Sequence, residues 1–213
     1  MLIARKQSWL IVVAVVLVAV GAAFLFKPSS NSRAGNSPVL QSATLYPEPR
    51  ALTPFQLLDQ DAKAFTNADL MGHWSFVFFG FTQCPDICPT TLAVMANVAK
   101  QLPPEFATDT RFVFVTVDPE RDTPALLHDY VNWFNFGLVG VTGDVAAITA
   151  LARDMGVAFS KVAQGDSYVM DHSVRVFLLD GQGRRHALLA PSLGLQGFDA
   201  KVVVQDYLAI RNQ

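Results

Sequence analysis

Apolar residues fall into short runs separated by polar, glycine- and proline-bearing turns, and their period changes along the chain. Residues 74–80 and 111–117 are dense in aromatic and β-branched side chains and predict two buried strands. Between them, Leu92, Met95, Ala96, Ala99 and Leu102 share one face of a helix predicted over 89–102. Upstream, 55–58 and 64–66 flank Asp59-Gln60-Asp61 as a small hairpin, followed by a helical turn at 67–71. Downstream come a helix over 124–134 capped by Thr123, a short strand at 138–141, a helix over 145–155 capped by Asp144, and a strand around 157–162. Residues 175–179 and 184–189 form a hairpin across Asp180-Gly181-Gln182-Gly183, and an amphipathic helix over 198–210 closes the pattern. This order predicts one three-layer α/β domain with a mixed central sheet and no internal repeat.

Composition changes the picture at the N-terminus. The chain is 51% hydrophobic and 16% charged, and the apolar excess is concentrated in residues 9–26, a run of 18 without a charge. As a helix rising ~1.5 Å per residue this run spans ~27 Å, close to the hydrocarbon thickness of a bilayer. Arg5 and Lys6 precede it. The positive-inside rule therefore predicts a single-pass anchor with residues 1–8 in the cytoplasm and the remainder across the membrane. A cleaved signal peptide, cut near Ala19-Val20-Gly21, is the competing reading. Apolar residues continue through Phe24, Leu25 and Phe26, which favours the anchor, because a signal's apolar region usually runs ~7–15 residues. Residues 27–50, rich in Ser, Asn, Pro and Gly, read as a tether with an r.m.s. reach of ~27 Å, and the folded domain is expected over 51–213. The net charge is −2, and two of the 16 basic residues lie before the anchor. An acidic domain without a basic stripe excludes nucleic acid as a partner.

The candidate chemistry centres on Cys84 and Cys88, the only two cysteines, spaced Cys-x-x-x-Cys between the strand at 74–80 and the following helix. Two thiols this close share one metal ion or one disulfide. Pro89 suits the first helical position and pushes Cys88 out of the α region, to or beside the N-cap. There the unpaired amides and the positive end of the helix dipole favour thiolate, making the pair nucleophilic and ready for a soft metal. A purely structural bridge is disfavoured, because so short a loop yields little chain-entropy stabilisation and a domain of ~160 residues buries an adequate core without it. His172, in Tyr168-Val169-Met170-Asp171-His172-Ser173, precedes a sheet strand whose loops converge at one end; an imidazole there completes a Cys-Cys-His set with an open position. The bland alternative is a structural or exposed histidine, which is also the reading for His73, His128 and His186. Asp118 ends the strand at 111–117 and is a candidate neighbour of the cysteine turn, against the alternative of a turn-forming Asp before Pro119. Glu120, Arg121 and Asp122 read as a surface ion-pair cluster, and Met95, Met155 and Met170 as core.

Residues 80–92, spanning Gly80, Phe81, Thr82, Gln83, Cys84, Pro85, Asp86, Ile87, Cys88, Pro89, Thr90, Thr91 and Leu92, closely resemble a motif of the SCO/SenC family of copper-binding assembly factors. Val117-Asp118-Pro119-Glu120-Arg121-Asp122-Thr123-Pro124 and Asp171-His172-Ser173 match two further motifs in order. The resemblance covers about residues 45–210 and extends to the anchor-plus-tether layout. It implies a thioredoxin-like single domain and a copper site, for Cu(I), Cu(II) or both, made by Cys84, Cys88 and His172, with Asp118 near the metal. It also implies a membrane-tethered metallochaperone in the bacterial inner membrane with its C-terminal domain in the periplasm. Such a protein takes copper from an upstream donor and matures the CuA centre in subunit II of cytochrome c oxidase. The alternative the family allows is an extracytoplasmic thiol–disulfide oxidoreductase that keeps the oxidase cysteines reduced. Phe81 and Gln83 stand where Tyr and His are common in the family. A peroxidase of the peroxiredoxin kind is a third reading of Cys88-Pro89-Thr90, but Pro85 stands where that mechanism wants a Thr hydroxyl.

Overall fold

Two parallel strands, β4 (Trp74–Gly80) and β5 (Thr110–Thr116), form the axis of the domain, and their side chains are buried almost without interruption. In a computed structural model that describes residues 39–191 and 197–213, they lie in the middle of an eight-stranded mixed sheet. The predicted anchor at 9–26 and the first part of the tether lie outside the described residues. Among the described residues no helix is long and apolar enough to cross a membrane.

The remaining strands are β1 (Ala43–Ala51), β2 (Gln56–Asp59), β3 (Ala64–Thr66), β6 (Leu138–Thr142), β7 (Phe159–Gln164), β8 (Ser167–His172), β9 (Val176–Leu179) and β10 (Arg184–Leu189). The large sheet runs β1-β10-β9-β4-β5-β6-β2-β3. Strands β4, β5 and β6 are parallel, and β9 and β2 join them antiparallel. Strict alternation divides the central strands: Phe76, Phe78, Phe112 and Phe114 point to one face, Val77, Phe79, Val113 and Val115 to the other. The phenylalanine face is covered by α1 (Ile87–Gln101), α3 (Pro124–Phe134) and α5 (Ala200–Arg211), through contacts such as Tyr207 on Phe76 and Tyr130 on Phe114. The valine face packs against Leu52, Phe55 and Phe65 and against Leu151 and Met155 of α4 (Val145–Met155). A short α2 (Pro104–Ala107) links α1 to β5. Both faces being covered explains the unbroken apolar runs 76–79 in β4 and 112–115 in β5.

The structure corrects four readings. The segment assigned to the end of the tether contributes β1, an edge strand paired with β10 from Ala43 to Ala51. Its register breaks between Leu45 and Arg50, where Pro47 and Pro49 sit, and proline is tolerated only at such an edge or bulge. The carboxylate of Asp206 in α5 holds its start, accepting from the Ser42 and Ala43 amides at 2.7 and 2.8 Å. Second, α1 begins at Ile87 with Asp86 as N-cap. Cys88 is thus helical and Pro89 is the third residue of the first turn, a place where the missing N–H has no intrahelical partner to lose. Third, the strand near 157–162 does not join the main sheet: β7 pairs only with β8, as a separate hairpin that ends at His172. Fourth, Asp122 is fully buried rather than part of a surface cluster.

Candidate functional site

Parallel strands deliver their following loops to the same end of a sheet. The loop after β4 carries Cys84, and the loop after β5 carries Asp118 to Asp122. The main chain turns at once, with the Cys84 amide donating to the Phe81 carbonyl at 3.2 Å. Helix α1 then starts without a side-chain cap from Asp86. The acceptor is instead the Cys84 sulfur, which takes the Cys88 amide at 3.4 Å. Cys84 is half-buried, and Cys88 is completely buried among the core side chains.

Gly80 makes this packing possible. A Cβ at that position would lie 2.7 Å from the Phe114 ring and 2.9 Å from the Cys88 sulfur. Gly80→Ala is therefore expected to displace Cys88 and to destabilise the fold by about 1–3 kcal/mol, as overpacking does, with the loss read as a lower urea midpoint at unchanged slope.

His172 closes the site from the hairpin. Its Nε2 lies 3.5 Å from the Cys88 sulfur, and its Nδ1 lies 3.2 Å from the Ser173 carbonyl. A carbonyl only accepts, so that contact requires the proton on Nδ1 and leaves the Nε2 lone pair facing sulfur, the tautomer a metal ligand needs. Phe78 and Phe81 set their rings edge-on to the imidazole at 6.1 and 6.0 Å and fix its plane.

The two thiols are electrostatically unequal. The Cys84 thiol is lowered from 9.0 to about 4, first because the Cys88 S–H donates to its thiolate, with help from the Asp86 and Cys88 amides, against a penalty from partial burial. Cys88 is pushed far up by the adjacent Cys84 sulfur and by its own burial. At neutral pH the pair thus holds one proton between two sulfurs. Among the described residues no three His, Cys, Asp or Glu side chains surround a preset metal position; the Cys88 sulfur lies in contact with the imidazole, and the Cys88 amide donates to the Cys84 sulfur. Two thiolates and one imidazole are nevertheless a donor set suited to a soft metal ion.

Asp118 is buried, as its candidate role requires, but its carboxylate pairs with Arg121 and accepts the Tyr168 hydroxyl at 2.8 Å rather than touching a cysteine. Arg121 also lies 3.8 Å over the Tyr168 ring and donates to the Tyr168 carbonyl at 3.0 Å. Tyr168 and His172 belong to the same strand, so these contacts tie Asp118 and Arg121 to the strand that carries His172. Tyr168→Phe is expected to raise amide exchange across β7 and β8 about tenfold, the effect of losing one hydrogen bond to a charged group, with the central sheet unchanged.

Sequence reasoning missed Asp122. Its carboxylate accepts from the Thr82 and Thr116 hydroxyls, each at 2.5 Å, and from the Thr82 amide at 3.0 Å. It staples the cysteine loop to β5; burial pushes its carboxyl up, opposed by those donors. The available signal was two threonines, Thr82 just beyond one predicted strand and Thr116 near the end of the other, but nothing local says that both face one carboxylate. His73 and His186 are half-buried and His128 is exposed, all apart from the site, while Met95, Met155 and Met170 are core.

A family model described as SCO1/SenC matches residues 44–202. The chain is 33% identical over 179 residues to a SCO2-like protein of Rickettsia felis, a match covering 82% of this chain and 85% of that one. It is 41% identical over 127 residues to the mitochondrial SCO1 homolog 1 of Arabidopsis thaliana, covering 59% of this chain and 38% of that longer protein. The crystal structure of Arabidopsis thaliana ScoI with copper bound aligns with a TM-score of 0.69 at 33% identity, over 76% of this chain and 99% of the other. The α/β fold with its mixed central sheet matches the thioredoxin-like structures of Sco proteins.

Proposed function

Because the chain belongs to the SCO1/SenC family, we propose that it is a copper metallochaperone whose cargo is held by Cys84, Cys88 and His172 and delivered to the CuA site of cytochrome c oxidase subunit II. The observation that carries this reading is the convergence of one imidazole and two sulfurs from segments more than eighty positions apart, with Nε2 free to bind. A related structure holds copper. Copper arriving at the half-buried Cys84 thiolate displaces the shared proton from Cys88, and His172 supplies the third donor. Three donors leave a position open, through which a partner's ligands take the ion one at a time. A soft thiolate pair suits Cu(I), and the imidazole also accommodates Cu(II).

The same proposal places residues 1–8 in the cytoplasm, 9–26 in the membrane and 27–42 as the tether, with the folded domain on the periplasmic side. There it meets an oxidase embedded in the same bilayer and an upstream copper donor.

A second reading rests on the contrast between a half-exposed, low-pKa sulfur and a buried one: a thiolate–thiol pair that reduces a partner disulfide, passing two electrons and the Cys88 proton, with the second proton taken from solvent, and itself becoming the Cys84–Cys88 disulfide. A thiolate whose pKa is near 4 is a good leaving group but a weak attacker, since thiols titrating near ambient pH exchange fastest. Metal holding is therefore favoured over rapid turnover. The test is a direct comparison on the reduced full-length protein: tight one-to-one copper binding with slow exchange on a dithiol partner peptide supports the chaperone, whereas rapid metal-free turnover with weak copper binding overturns it.

A further inference from the structure

The face of the sheet opposite the cysteines carries a cleft of about 570 Å³ where three arginines from three separate segments meet: Arg50 at the end of β1, Arg185 at the start of β10 and Arg153 in the last turn of α4. Leu151 lines it, and Leu151 also packs on the Val77 and Val113 side of the sheet, away from Gly80, Phe78 and Cys88. The cleft is thus separate from the metal site.

Two features of the cleft lack a counter-charge. Arg50 and Arg185 are directly opposite in the β1–β10 register, an arrangement that destabilises a strand pair when nothing lies between the charges. The ion pairs of the described residues all involve other side chains, so none of the three guanidiniums has a carboxylate partner among them. Arg185 Nε is also buried with no hydrogen-bond partner among the described residues. The single carboxylate in the lining, Asp154, already accepts the Thr53 amide at 2.7 Å. Net positive charge is concentrated here on a chain whose overall charge is −2. Guanidinium forks match tetrahedral oxyanions in bidentate geometry, and several forks from different directions suit a phosphate better than a planar carboxylate.

We propose that this cleft binds a phosphate-class oxyanion, held by Arg50, Arg153 and Arg185. The phosphate is either free inorganic phosphate or the headgroup of an anionic phospholipid, the second bringing the domain down onto the surface to which the predicted anchor would tether it.

The experiment uses the full-length chain in nonionic detergent, titrated calorimetrically with inorganic phosphate, and separately reconstituted in phosphatidylcholine vesicles with and without phosphatidylglycerol, read by hydrogen exchange at 150–154 and 183–187. Saturable one-to-one phosphate binding identifies the free anion; protection confined to the phosphatidylglycerol vesicles identifies the headgroup. In either case Arg185→Gln and the exposed pair Arg50→Gln/Arg153→Gln are expected to weaken the response at least about tenfold. Lys100→Gln, an exposed charge on α1, is expected to leave it unchanged, and copper binding is expected to stay at the wild-type level in the Arg50/Arg153 variant. Absence of both responses, or an equal loss in Lys100→Gln, overturns the proposal.

Discussion

Cys88→Ser is expected to remove tight copper binding from the reduced protein while leaving it folded. The oxygen replacing sulfur is close in size, so the packing against Gly80 and Phe114 persists, but a buried serine hydroxyl does not ionise to a soft anionic ligand. Removing an outer partner of a metal ligand typically lowers affinity about 10–100-fold, and removing a donor outright exceeds that. Cys84→Ser is expected to do the same. His172→Ala removes the single nitrogen donor and is expected to lower affinity less than either cysteine change, while abolishing the portion of the copper spectrum that depends on imidazole. The measurement is competition against a Cu(I) chelator of known affinity, with an absorption spectrum of the Cu(II) form. If His172→Ala matched wild type in both, the imidazole would be a structural group that merely touches Cys88, and the site would shrink to a dithiol.

How much of this arrangement was legible in the sequence depended on whether the cause of each contact was local. Strands β4 and β5 were readable because burial on both faces makes their central positions, 76–79 and 112–115, continuously apolar. The helix at 124–134 was readable because Thr123 caps it, accepting the Leu126 amide in the structure. Strand β1 was not, since an edge strand with Pro47 and Pro49 has no period and is held by Asp206, more than 160 positions away. The start of α1 was misread because the local preference of a residue before proline gave way to tertiary packing: burying Cys88 beneath β4 requires it inside the first turn. Cys84, Cys88 and His172 were legible as candidate chemistry, whereas the route by which Asp118 reaches them, through Tyr168 and the β8 hairpin, depends on pairing that no local pattern announces. Asp122 was hidden for the same reason, as one acid in the string from Asp118 to Asp122, distinguished only by two threonines that arrive from other elements.

Copper binding is expected to release one proton near neutral pH rather than two. Free thiols near 9 would both be protonated at pH 7, and two thiolate ligands would then cost two protons. Here the Cys84 proton is already absent, because its thiol titrates at about 4, while the Cys88 proton remains because its thiol is raised. The sign follows from each direction. Lowering Cys84 stabilises the folded thiolate at neutral pH, and that contribution is lost as pH falls through about 4. Raising Cys88 keeps its proton on the folded protein to higher pH than on the unfolded chain, so its contribution is present below the unfolded value and declines above it. From neutral pH up to about 9 the affinity for Cu(I) is therefore expected to rise about tenfold per pH unit, and below about 4 the Cys84 proton adds to the count and the dependence steepens. Calorimetry in buffers of different ionisation enthalpy counts the released protons directly. A count near two at pH 7 would mean that Cys84 is an ordinary thiol, and that the sulfur at the start of α1 neither caps the helix as an anion nor is poised for a metal.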